Sequence, residues 1–534
     1  ARVVPSVPTF AVDNGFWYDI PDQLQGLVQL GSLVRVPLSG RKTRGFVVEI
    51  GGEREGALKE IAALSSEIPV FDAGLLKTIH WAANHYVAPL SVLLERSAPP
   101  NLPTTPAPEK AATHVSHPVG ANPVLEVTRE IAAGRRRPAT AVIGPWQALD
   151  WLDTLLPVLE AEKSVLIVVA TEAEAHTVGQ GARERGFDAT VAAGDVARDL
   201  TKAWTDGQGR GRLMIGTPRV AMWLVPHLAL VVVLEEGRRA MKDRQTPTLH
   251  VRDVMSTRAR VEGFSVAFIG PTPSLEVLAS GPEVIRPSKR AWPLVEIVDR
   301  RDDAPGSGTL AERTVAAIRA MATAGRRSFV FTHRRASDSS MRCVSCRLVR
   351  VCEGCGSRLG REATCRRCGR PAGPCLNCGG TGFEEMGSEP ERLVREINRR
   401  LGGEVAGIHP TDLLVAVGTE RDLPTLQRVP LAVAVDVDGL MLGHNYRTSE
   451  EALRILARLA NAIEIGPGRR MMAQTSLPEA SLLTALRRAD PVPYLEELLM
   501  ERARLGLPPA TEMLAVEIRG EEGPSRFDSD LRSL

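Results

Sequence analysis

The side chains with the clearest chemical potential are the eight cysteines, which all lie in one stretch of the chain. They form four C-x-x-C pairs, which are Cys343 with Cys346, Cys352 with Cys355, Cys365 with Cys368, and Cys375 with Cys378. Two thiolates separated by two residues can bind one tetrahedral ion from a tight turn, so two such pairs make a closed four-cysteine zinc site. We therefore expect two structural zinc ions and no coordination position left open for catalysis.

Spacing alone does not decide which pairs share an ion, because four pairs can be matched in three ways. Nested pairing is the simplest arrangement. It places Cys343, Cys346, Cys375 and Cys378 at zinc 1 and Cys352, Cys355, Cys365 and Cys368 at zinc 2. Gly356, Gly369 and Gly379 each follow a second cysteine, where a missing Cβ lets backbone N–H groups face the sulfurs. Disulfides are the alternative, and they would need an oxidising compartment that nothing in the sequence indicates.

Arginines surround these cysteines, and two interpretations of the block stay open. In the first, the zinc ions only fold a segment that is too small for its own core. In the second, the arginines also bind phosphates or an acidic protein surface. The arginines are Arg342, Arg347, Arg350, Arg358, Arg361, Arg366, Arg367 and Arg370.

Length and composition predict a soluble protein of roughly three to five domains. The chain has 534 residues, 43% of them hydrophobic, and a net charge of +2, so any nucleic-acid surface must be local. The longest apolar run, residues 228–234, is far too short to span a membrane. The sequence also lacks the charged-then-apolar pattern of a signal peptide. We expect a cytoplasmic protein without a membrane partner.

Continuous apolar runs after residue 124 predict parallel sheets, because central strands of such sheets are buried on both faces. The runs are residues 164–169, 213–215, 228–234 and 265–269, then 328–332, 413–417 and 431–435. We therefore predict a multidomain α/β protein. Its units are a β-rich module (1–98), a proline-rich linker (99–123), lobe 1 (124–285), lobe 2 (286–466) with the cysteine insertion (341–381), and an α+β C-terminal domain (467–534). In the β-rich module we predict strands at 2–5, 33–37 and 45–50 and a helix within 71–94. In the C-terminal domain we predict helices at 477–488 and 493–505 and a strand at 513–518.

An aromatic cluster, Phe16-Trp17-Tyr18, lies near a basic turn at residues 39–44. Buried packing is the ordinary role of such a cluster. The functional alternative is a platform on which an unpaired base stacks beside cationic side chains.

Several segments, taken in order, resemble the PriA family of bacterial replication-restart proteins. The cysteine block lies where that family carries two zincs, and the resemblance covers almost the whole chain. It implies two RecA-like helicase lobes and an N-terminal DNA-binding module, although the family's winged-helix domain has almost no room here. The matching segments are 35–37 (RVP), 81–86 (WAANHY), 215–221 (IGTPRVA), 228–236 (LALVVVLEE), 250–253 (HVRD), 436–439 (DVDG), 445–447 (NYR) and 494–509 (YLEELLMERARLGLPP).

The same resemblance locates the catalytic elements of a helicase, and this sequence lacks them. A P-loop needs G-K-[ST], which occurs nowhere in the chain; Trp146 stands in its place. Leu234 replaces the magnesium-binding aspartate, and we expect no catalytic role for the neighbouring Glu235. Residues 459–466, where arginines should reach the γ-phosphate, contain none, and 418–424 (GTERDLP) replaces the segment that couples ATP to DNA. We therefore predict that the protein has no catalytic residues and no nucleotide site and does not hydrolyse ATP. Zinc is the predicted cofactor. Whether the protein is an enzyme stays open, and the missing elements favour the answer that it is not.

The family's N-terminal module holds the 3′ end of a leading strand, and its pocket maps near Phe16, Gly40 and Lys59. Trp17 replaces the acidic residue that would bond the terminal nucleotide, so general DNA binding is the better prediction than recognition of a 3′ hydroxyl. The predicted DNA-binding residues are Phe16, Trp17, Gly40, Arg41, Lys42 and Lys59.

Our hypothesis is a replication-restart protein that binds forked DNA and recruits the helicase-loading machinery without unwinding. The expected partners are forked DNA with single-stranded and duplex junctions, primosome and helicase-loading proteins, and single-stranded DNA-binding protein. Two alternatives stay open. One is an active ATP-dependent 3′-to-5′ helicase, and the other is a zinc-dependent interaction protein that does not touch DNA.

Overall fold

The computed structural model describes most of the chain. The described residues are 1–51, 57–106, 112–115, 123–137, 139–287, 290–301, 303, 308–333, 340–346, 348–360, 363–365, 368–386, 389–443 and 445–513. The predicted strand at 513–518 lies almost wholly outside them, as do Arg347, Arg361, Arg366 and Arg367.

The N-terminal module is a five-stranded antiparallel sheet in the order β2-β1-β4-β3-β5, covered by helices. The predicted helix within 71–94 is two helices, because Val87 has a φ of +49° and Pro89 follows it. The strand predicted at 45–50 starts earlier, so only Ser39 and Gly40 form the turn before it. The elements are β1 (Arg2–Pro5), β2 (Phe16–Trp17), β3 (Leu33–Leu38), β4 (Arg41–Glu49), β5 (Ala63–Ser66), α1 (Ala73–His85) and α2 (Leu90–Leu94).

Lobe 1 is a seven-stranded parallel sheet in the order β12-β6-β11-β10-β7-β9-β8. The predicted parallel arrangement is confirmed, and the last five residues of β10 are buried at its centre. The elements are α3 (Pro123–Ala132), β6 (Thr140–Ile143), α4 (Leu156–Glu160), β7 (Ser164–Val168), α5 (Glu172–Glu184), β8 (Ala189–Ala192), α6 (Ala197–Asp206), β9 (Leu213–Gly216), β10 (Leu228–Leu234), α7 (Val251–Glu262), β11 (Ser265–Gly270), α8 (Leu275–Ala279) and β12 (Glu283–Ile285).

Lobe 2 is a six-stranded parallel sheet in the order β13-β20-β19-β14-β18-β17, interrupted after β14 by the cysteine insertion. The elements are β13 (Leu294–Asp299), α9 (Glu312–Thr323), β14 (Ser328–Phe331), β15 (Ser340–Cys343), β16 (Phe383–Met386), α10 (Pro390–Leu401), β17 (Ala406–Ile408), β18 (Val415–Gly418), β19 (Leu431–Ala434), α11 (Val437–Met441), α12 (Thr448–Asn461), β20 (Arg470–Thr475), α13 (Ser481–Arg488) and α14 (Val492–Arg504).

One boundary differs from that placed on the sequence. Strand β20 lies between β13 and β19, so lobe 2 continues beyond residue 466, because its sheet needs this strand to pair β13. Helix α13 packs against β13 and α12, and α14 packs against α13. The described part of the proline-rich linker is hydrogen-bonded to lobe 1: the Val115 N–H donates to the Gly186 carbonyl at 3.0 Å, and the Thr201 hydroxyl donates to the Asn101 carbonyl at 2.6 Å.

The N-terminal module and lobe 1 share one hydrophobic core. Leu75 and Ile79 of α1 belong to the same buried cluster as Met222, Val254 and Met255 of lobe 1. Removing this apolar surface from water favours the joined state, so the module is fixed to lobe 1.

Gly31 offers a test of the module's packing. It has a φ of +82°, and a Cβ there would lie 2.1 Å from the Phe71 carbonyl oxygen, just before α1. Gly26 has a φ of +77° with open space around it. Gly26→Ala should therefore cost about 1 kcal/mol of backbone strain, and Gly31→Ala about 1–3 kcal/mol more from the clash. Urea unfolding followed by tryptophan fluorescence measures both, and equal losses would contradict this packing.

Candidate functional site

Three of the four cysteine pairs are seen to form a short knuckle of backbone that ends at a glycine. Gly356, Gly369 and Gly379 have φ values of +68°, +73° and +70°, as predicted, and open space around them. Their N–H groups donate to the carbonyls of Cys352, Cys365 and Cys375 at 2.8, 2.9 and 2.8 Å, in that order. This left-handed turn needs glycine, and it folds the chain back towards the sulfurs.

The eight thiols gather into two sets of four. Within each set all the Sγ atoms lie within 4.8 Å of one another, and the sets are Cys343, Cys346, Cys375 and Cys378, and Cys352, Cys355, Cys365 and Cys368. The shorter separations are 3.4 Å in the first set and 3.5 Å in the second. A tetrahedral ion bound at about 2.3 Å would hold its sulfurs roughly 3.8 Å apart. The donor sets therefore fit a metal ion each.

Backbone N–H groups favour the metal-binding form of one of these thiols, that of Cys343. Although burial raises the pKa of the Cys343 thiol, backbone N–H groups of Cys346 and Ser345 lower it, and the pKa lies at about 7. The thiolate is the form that binds metal, so such N–H groups favour ligation.

The two thiol sets are nested along one hairpin. Strands β15 and β16 pair with Cys343 opposite Phe383, so the first set closes the neck of the insertion. The second set lies further out, where the buried cluster consists of Cys352, Leu359 and Cys365. So few apolar residues cannot hold a fold on their own, and a metal would have to organise it.

Most described arginines of the insertion have structural partners. Arg342 pairs with Glu384 at 2.7 Å, and Arg350 lies over the Phe383 ring at 4.3 Å. Arg358 donates from Nη1 to the Gly439 carbonyl at 3.0 Å, which attaches the insertion to α11. Arg370 is exposed. Of the four described arginines, three are thus occupied in holding the insertion together or onto lobe 2.

The residues predicted to bind DNA lie along one connected part of the N-terminal module. Phe16 and Trp17 form β2, and Phe16 is 41% exposed. Gly40, with a φ of +79°, completes the turn between β3 and β4, and the exposed Arg41 and Lys42 follow it.

Hydrogen bonds and register link these residues. The Asp19 N–H donates to the carbonyl of the exposed Lys59 at 2.9 Å. The adjacent Tyr18 hydroxyl donates to the Pro37 carbonyl at 3.3 Å, and Pro37 lies opposite Lys42 in the sheet. The indole of Trp17 lies over Gly51, where a Cβ would approach it to 2.8 Å. The structure thus connects the aromatic strand, Lys59 and the basic hairpin.

The aromatic segment at 81–86 has a different position, at the contact with lobe 1. Trp81 stacks on His85, with ring centroids 4.9 Å apart, and meets Tyr86 edge-on. The Tyr86 hydroxyl accepts from the His250 N–H at 3.1 Å. Burial lowers the pKa of His250 to about 3, so its neutral ring can accept from the Arg252 N–H at the start of α7. These residues position the module on lobe 1.

The end of β6, where a P-loop would lie, is built differently. Strand β6 is followed by two short 3₁₀ turns instead of a helix that begins at a phosphate site. Trp146 is 2% exposed within the lobe 1 core, and its carbonyl accepts from the Trp151 indole N–H at 2.8 Å. Phosphate binding at such a position requires backbone N–H groups at a helix N-terminus. An indole held in the core occupies this position.

Two buried carboxylates follow β10. Glu235, with a φ of +50°, pairs with Arg238 at 3.2 Å and with Arg458 of lobe 2 at 2.8 Å. Glu236 accepts from the Ser274 N–H at 2.7 Å, and burial raises its pKa to about 7. Both carboxylates therefore have partners within the protein.

The lobe 2 side of the cleft supplies the complementary groups. Glu420 accepts from Arg454 and Arg458 at 2.9 and 2.8 Å. Although burial raises the pKa of Glu420, these two arginines lower it to about 2. The cavity beside Ile143, Glu235 and Glu236 has a volume of about 10 Å³, which is about the space that one water molecule needs. It is therefore far too small for a nucleotide.

Sequence reasoning missed this arrangement. The sequence predicts no catalytic role for Glu235, and it identifies neither Glu420 nor Arg458 as a site residue. Their partners lie far apart in the chain, so no local spacing could reveal the contacts. The one available signal was the presence of Arg454 and Arg458 within residues 452–460 of α12, which are otherwise apolar.

Two parallel-sheet lobes that meet across a cleft, an antiparallel module and a cysteine insertion define a DNA-binding protein with a helicase-like fold. Residues 2–99 match the model of the 3′ DNA-binding domain of PriA. The probable replication restart protein PriA of Mycobacterium tuberculosis H37Rv is 26% identical over 95% of this chain and 85% of its own. The replication restart protein PriA of Thermotoga maritima is 22% identical over 63% of this chain and 50% of its own. The chain is thus similar, over almost its whole length, to replication restart proteins of the PriA family, and its residues 2–99 match that family's 3′ DNA-binding domain.

Among solved structures, RecG bound to a three-way DNA junction aligns with a TM-score of 0.41 and 11% identity, over 78% of this chain and 51% of that one. Similarity at this level adds nothing to the family assignment. None of the helices in the described part of the chain combines the length and apolarity that a bilayer crossing requires.

Replacing Glu236 by glutamine should change how stability depends on pH. The folded-state pKa of about 7 lies above the ordinary value of 4.5, so the contribution of this carboxyl is complete below pH 4.5 and is lost as the pH rises through 7. Relative to the parent, Glu236→Gln should gain about 2 kcal/mol between about pH 5 and about pH 8. Urea unfolding at both pH values measures this, with the exposed Glu160→Gln as the control. A constant difference for Glu236→Gln would contradict the buried, charge-disfavouring site.

Proposed function

We propose that this protein is a replication-restart protein that binds branched DNA and recruits the helicase-loading machinery without ATP-driven unwinding. The observation that carries the proposal is the nucleotide cleft. Trp146 is buried where phosphates would lie, and the neighbouring carboxylate Glu235 is neutralised by Arg238 and Arg458. ATP hydrolysis needs free groups that hold the triphosphate and its metal, and transition-state charge must be stabilised by them.

DNA binding is assigned to the N-terminal module. Exposed Phe16 and partly exposed Trp17 offer faces on which unpaired bases can stack, and Arg41, Lys42 and Lys59 offer cations for phosphates. Gly40 keeps the hairpin tip open for close approach of the DNA backbone. Trp17 has no acidic group that could hydrogen-bond to a terminal hydroxyl. This surface is therefore assigned to general DNA binding and not to recognition of a 3′ end.

Zinc is the metal proposed for both thiol sets. Four thiolates in a tetrahedron are typical of structural zinc, and no set has a position left for substrate. The insertion, attached to lobe 2 through Arg358, is proposed to contact other proteins of the restart machinery, among them helicase-loading proteins and single-stranded DNA-binding protein. The PriA relatives support this, because replication restart is an assembly reaction.

This protein should bind forked DNA without hydrolysing ATP. Zinc-loaded protein should bind a forked DNA and show no DNA-stimulated ATPase above the level of a buffer blank. DNA-stimulated hydrolysis would favour the active-helicase alternative, and absence of fork binding at moderate salt would favour a DNA-free interaction protein.

The double variant Arg41→Ala with Lys42→Ala should weaken binding about tenfold and reduce the salt slope by about 2. Arg198→Ala with Lys202→Ala, an equal charge change on α6, should leave binding unchanged.

Metal content tests the thiol sets and their pairing. The parent should contain about two zinc ions per chain by elemental analysis. Cys346→Ser with Cys375→Ser removes ligands from one set and should leave about one ion, whereas Cys346→Ser with Cys355→Ser affects both sets and should leave about none. Ser345→Ala, beside a ligand, is the control and should retain both ions. Equal metal loss in the two double variants would contradict the nested pairing.

A further inference from the structure

Three carboxylates and three arginines form a continuous ion-pair cluster between the lobes, which we call the cleft cluster. Its members are Glu174, Glu235 and Arg238 of lobe 1, and Glu420, Arg454 and Arg458 of lobe 2. Arg238 contacts Glu174 and Glu235, and Arg454 and Arg458 both contact Glu420. The contact between Arg458 and Glu235, at 2.8 Å, joins the two halves.

The cleft cluster is electrically balanced, and all of its members except the partly exposed Glu420 are buried. The side chains of Glu174, Glu235, Arg238 and Arg458 are between 1% and 8% exposed. The negative charges of Glu235 and Glu174 raise the pKa of Arg238 despite its burial, so this arginine stays charged. Three negative charges meet three positive ones, so the arginines have no excess charge to offer a triphosphate. Opening the cleft would separate Arg458 from Glu235, and breaking a buried ion pair is costly.

A second group of contacts closes the rim of the same cleft. Arg239 of lobe 1 pairs with Glu451 at 2.8 Å, and Glu276 of α8 pairs with Arg447 at 2.5 Å. The Leu275 N–H donates to Glu450 at 3.1 Å. The Leu275 side chain, fully buried, packs in the lobe 2 hydrophobic cluster. Polar and apolar contacts therefore act together across the lobes.

Helix α14 reinforces this rim from the C-terminal side. Arg502, which is 2% exposed, pairs with Glu450 at 2.8 Å and lies over the Tyr446 ring at 5.1 Å. Glu450 thus binds a lobe 1 backbone N–H and an α14 guanidinium at once. The segment that resembles the family's C-terminal signature is tied into the lobe interface.

We infer that the cleft cluster is an internal replacement for the nucleotide, which locks the two lobes in one closed arrangement. In a helicase the arrangement of the lobes depends on what the cleft binds. Here the protein's own side chains fill that role, so the arrangement does not vary with nucleotide. The inference goes beyond the proposed loss of hydrolysis, because the two lobes of a helicase-like protein without ATPase activity could still move freely relative to each other. A locked pair of lobes would present DNA and partner proteins with one fixed surface.

Hydrogen exchange measured by mass spectrometry on the full zinc-loaded chain tests the lock. Arg458→Met removes the cross-lobe contact while leaving Glu235 paired with Arg238, and Glu420 with Arg454. Exchange should rise about tenfold or more on both faces of the cleft, at residues 234–241 and 447–458. If only the 447–458 side changes, the effect is local to α12 and the lock is wrong.

A matched control separates the lock from general damage. Arg258 is a fully buried arginine that pairs with Glu262 inside lobe 1 at 2.8 Å, away from the cleft. Arg258→Met should raise exchange around α7 and leave 447–458 as in the parent. If Arg458→Met does not fold, Arg447→Met provides the test at a partly exposed position, with the same two faces as the readout. Unchanged exchange at residues 234–241 in that variant would overturn the lock.

A second measurement tests whether the arrangement of the two lobes is independent of nucleotide. In the parent, exchange at both faces should be the same with and without millimolar ATP or its non-hydrolysable analogue. A nucleotide-dependent change at these faces would overturn the inference even if no ATP is hydrolysed. ATPase assays address the proposed function separately, so failure of one conclusion can be told from failure of the other.

Discussion

A charge that is buried away from water must find a partner, and this constraint organises the centre of the molecule. In a working helicase, phosphates and a metal ion supply many of those partners. Here Glu235 lies just after β10 with 2% of its side chain exposed, and its carboxylate pairs with Arg238 and Arg458. The contacts that satisfy this carboxylate are the ones that join the lobes. The need to pair this buried carboxylate thus places an ion pair directly between the two lobes.

The features that could be predicted from the sequence are local ones. Continuous apolar runs such as β10 predict buried parallel strands, and the C-x-x-C-G repeats predict metal knuckles, because each depends on residues close together in the chain. The pairing of β20 with β13 and the contact between Glu235 and Arg458 join distant segments. Nothing in a strand's composition tells which neighbour it pairs with, so the boundary at residue 466 was misplaced.

Resemblance to a family locates segments more reliably than it assigns their roles. The WAANHY segment resembles part of a DNA-binding domain, yet Trp81 and Tyr86 lie against lobe 1, where Tyr86 accepts from the His250 N–H. Similarly, three arginines of the cysteine insertion have protein partners and not free guanidinium groups. Buried hydrogen bonds and stacking use the same residue types as nucleic-acid recognition, and only the three-dimensional contacts distinguish them.

Trp146 has a consequence for how such a chain can change over generations. Its indole fills part of the lobe 1 core, so a lysine or glycine there would leave a void among Trp151, Leu155 and their neighbours. Large-to-small changes in a core typically cost about 3–5 kcal/mol for tryptophan. A single reverting codon would therefore lower stability before it restored any phosphate contact. The packing of the lobe 1 core therefore opposes replacement of Trp146 by the small or charged residues that bind phosphate.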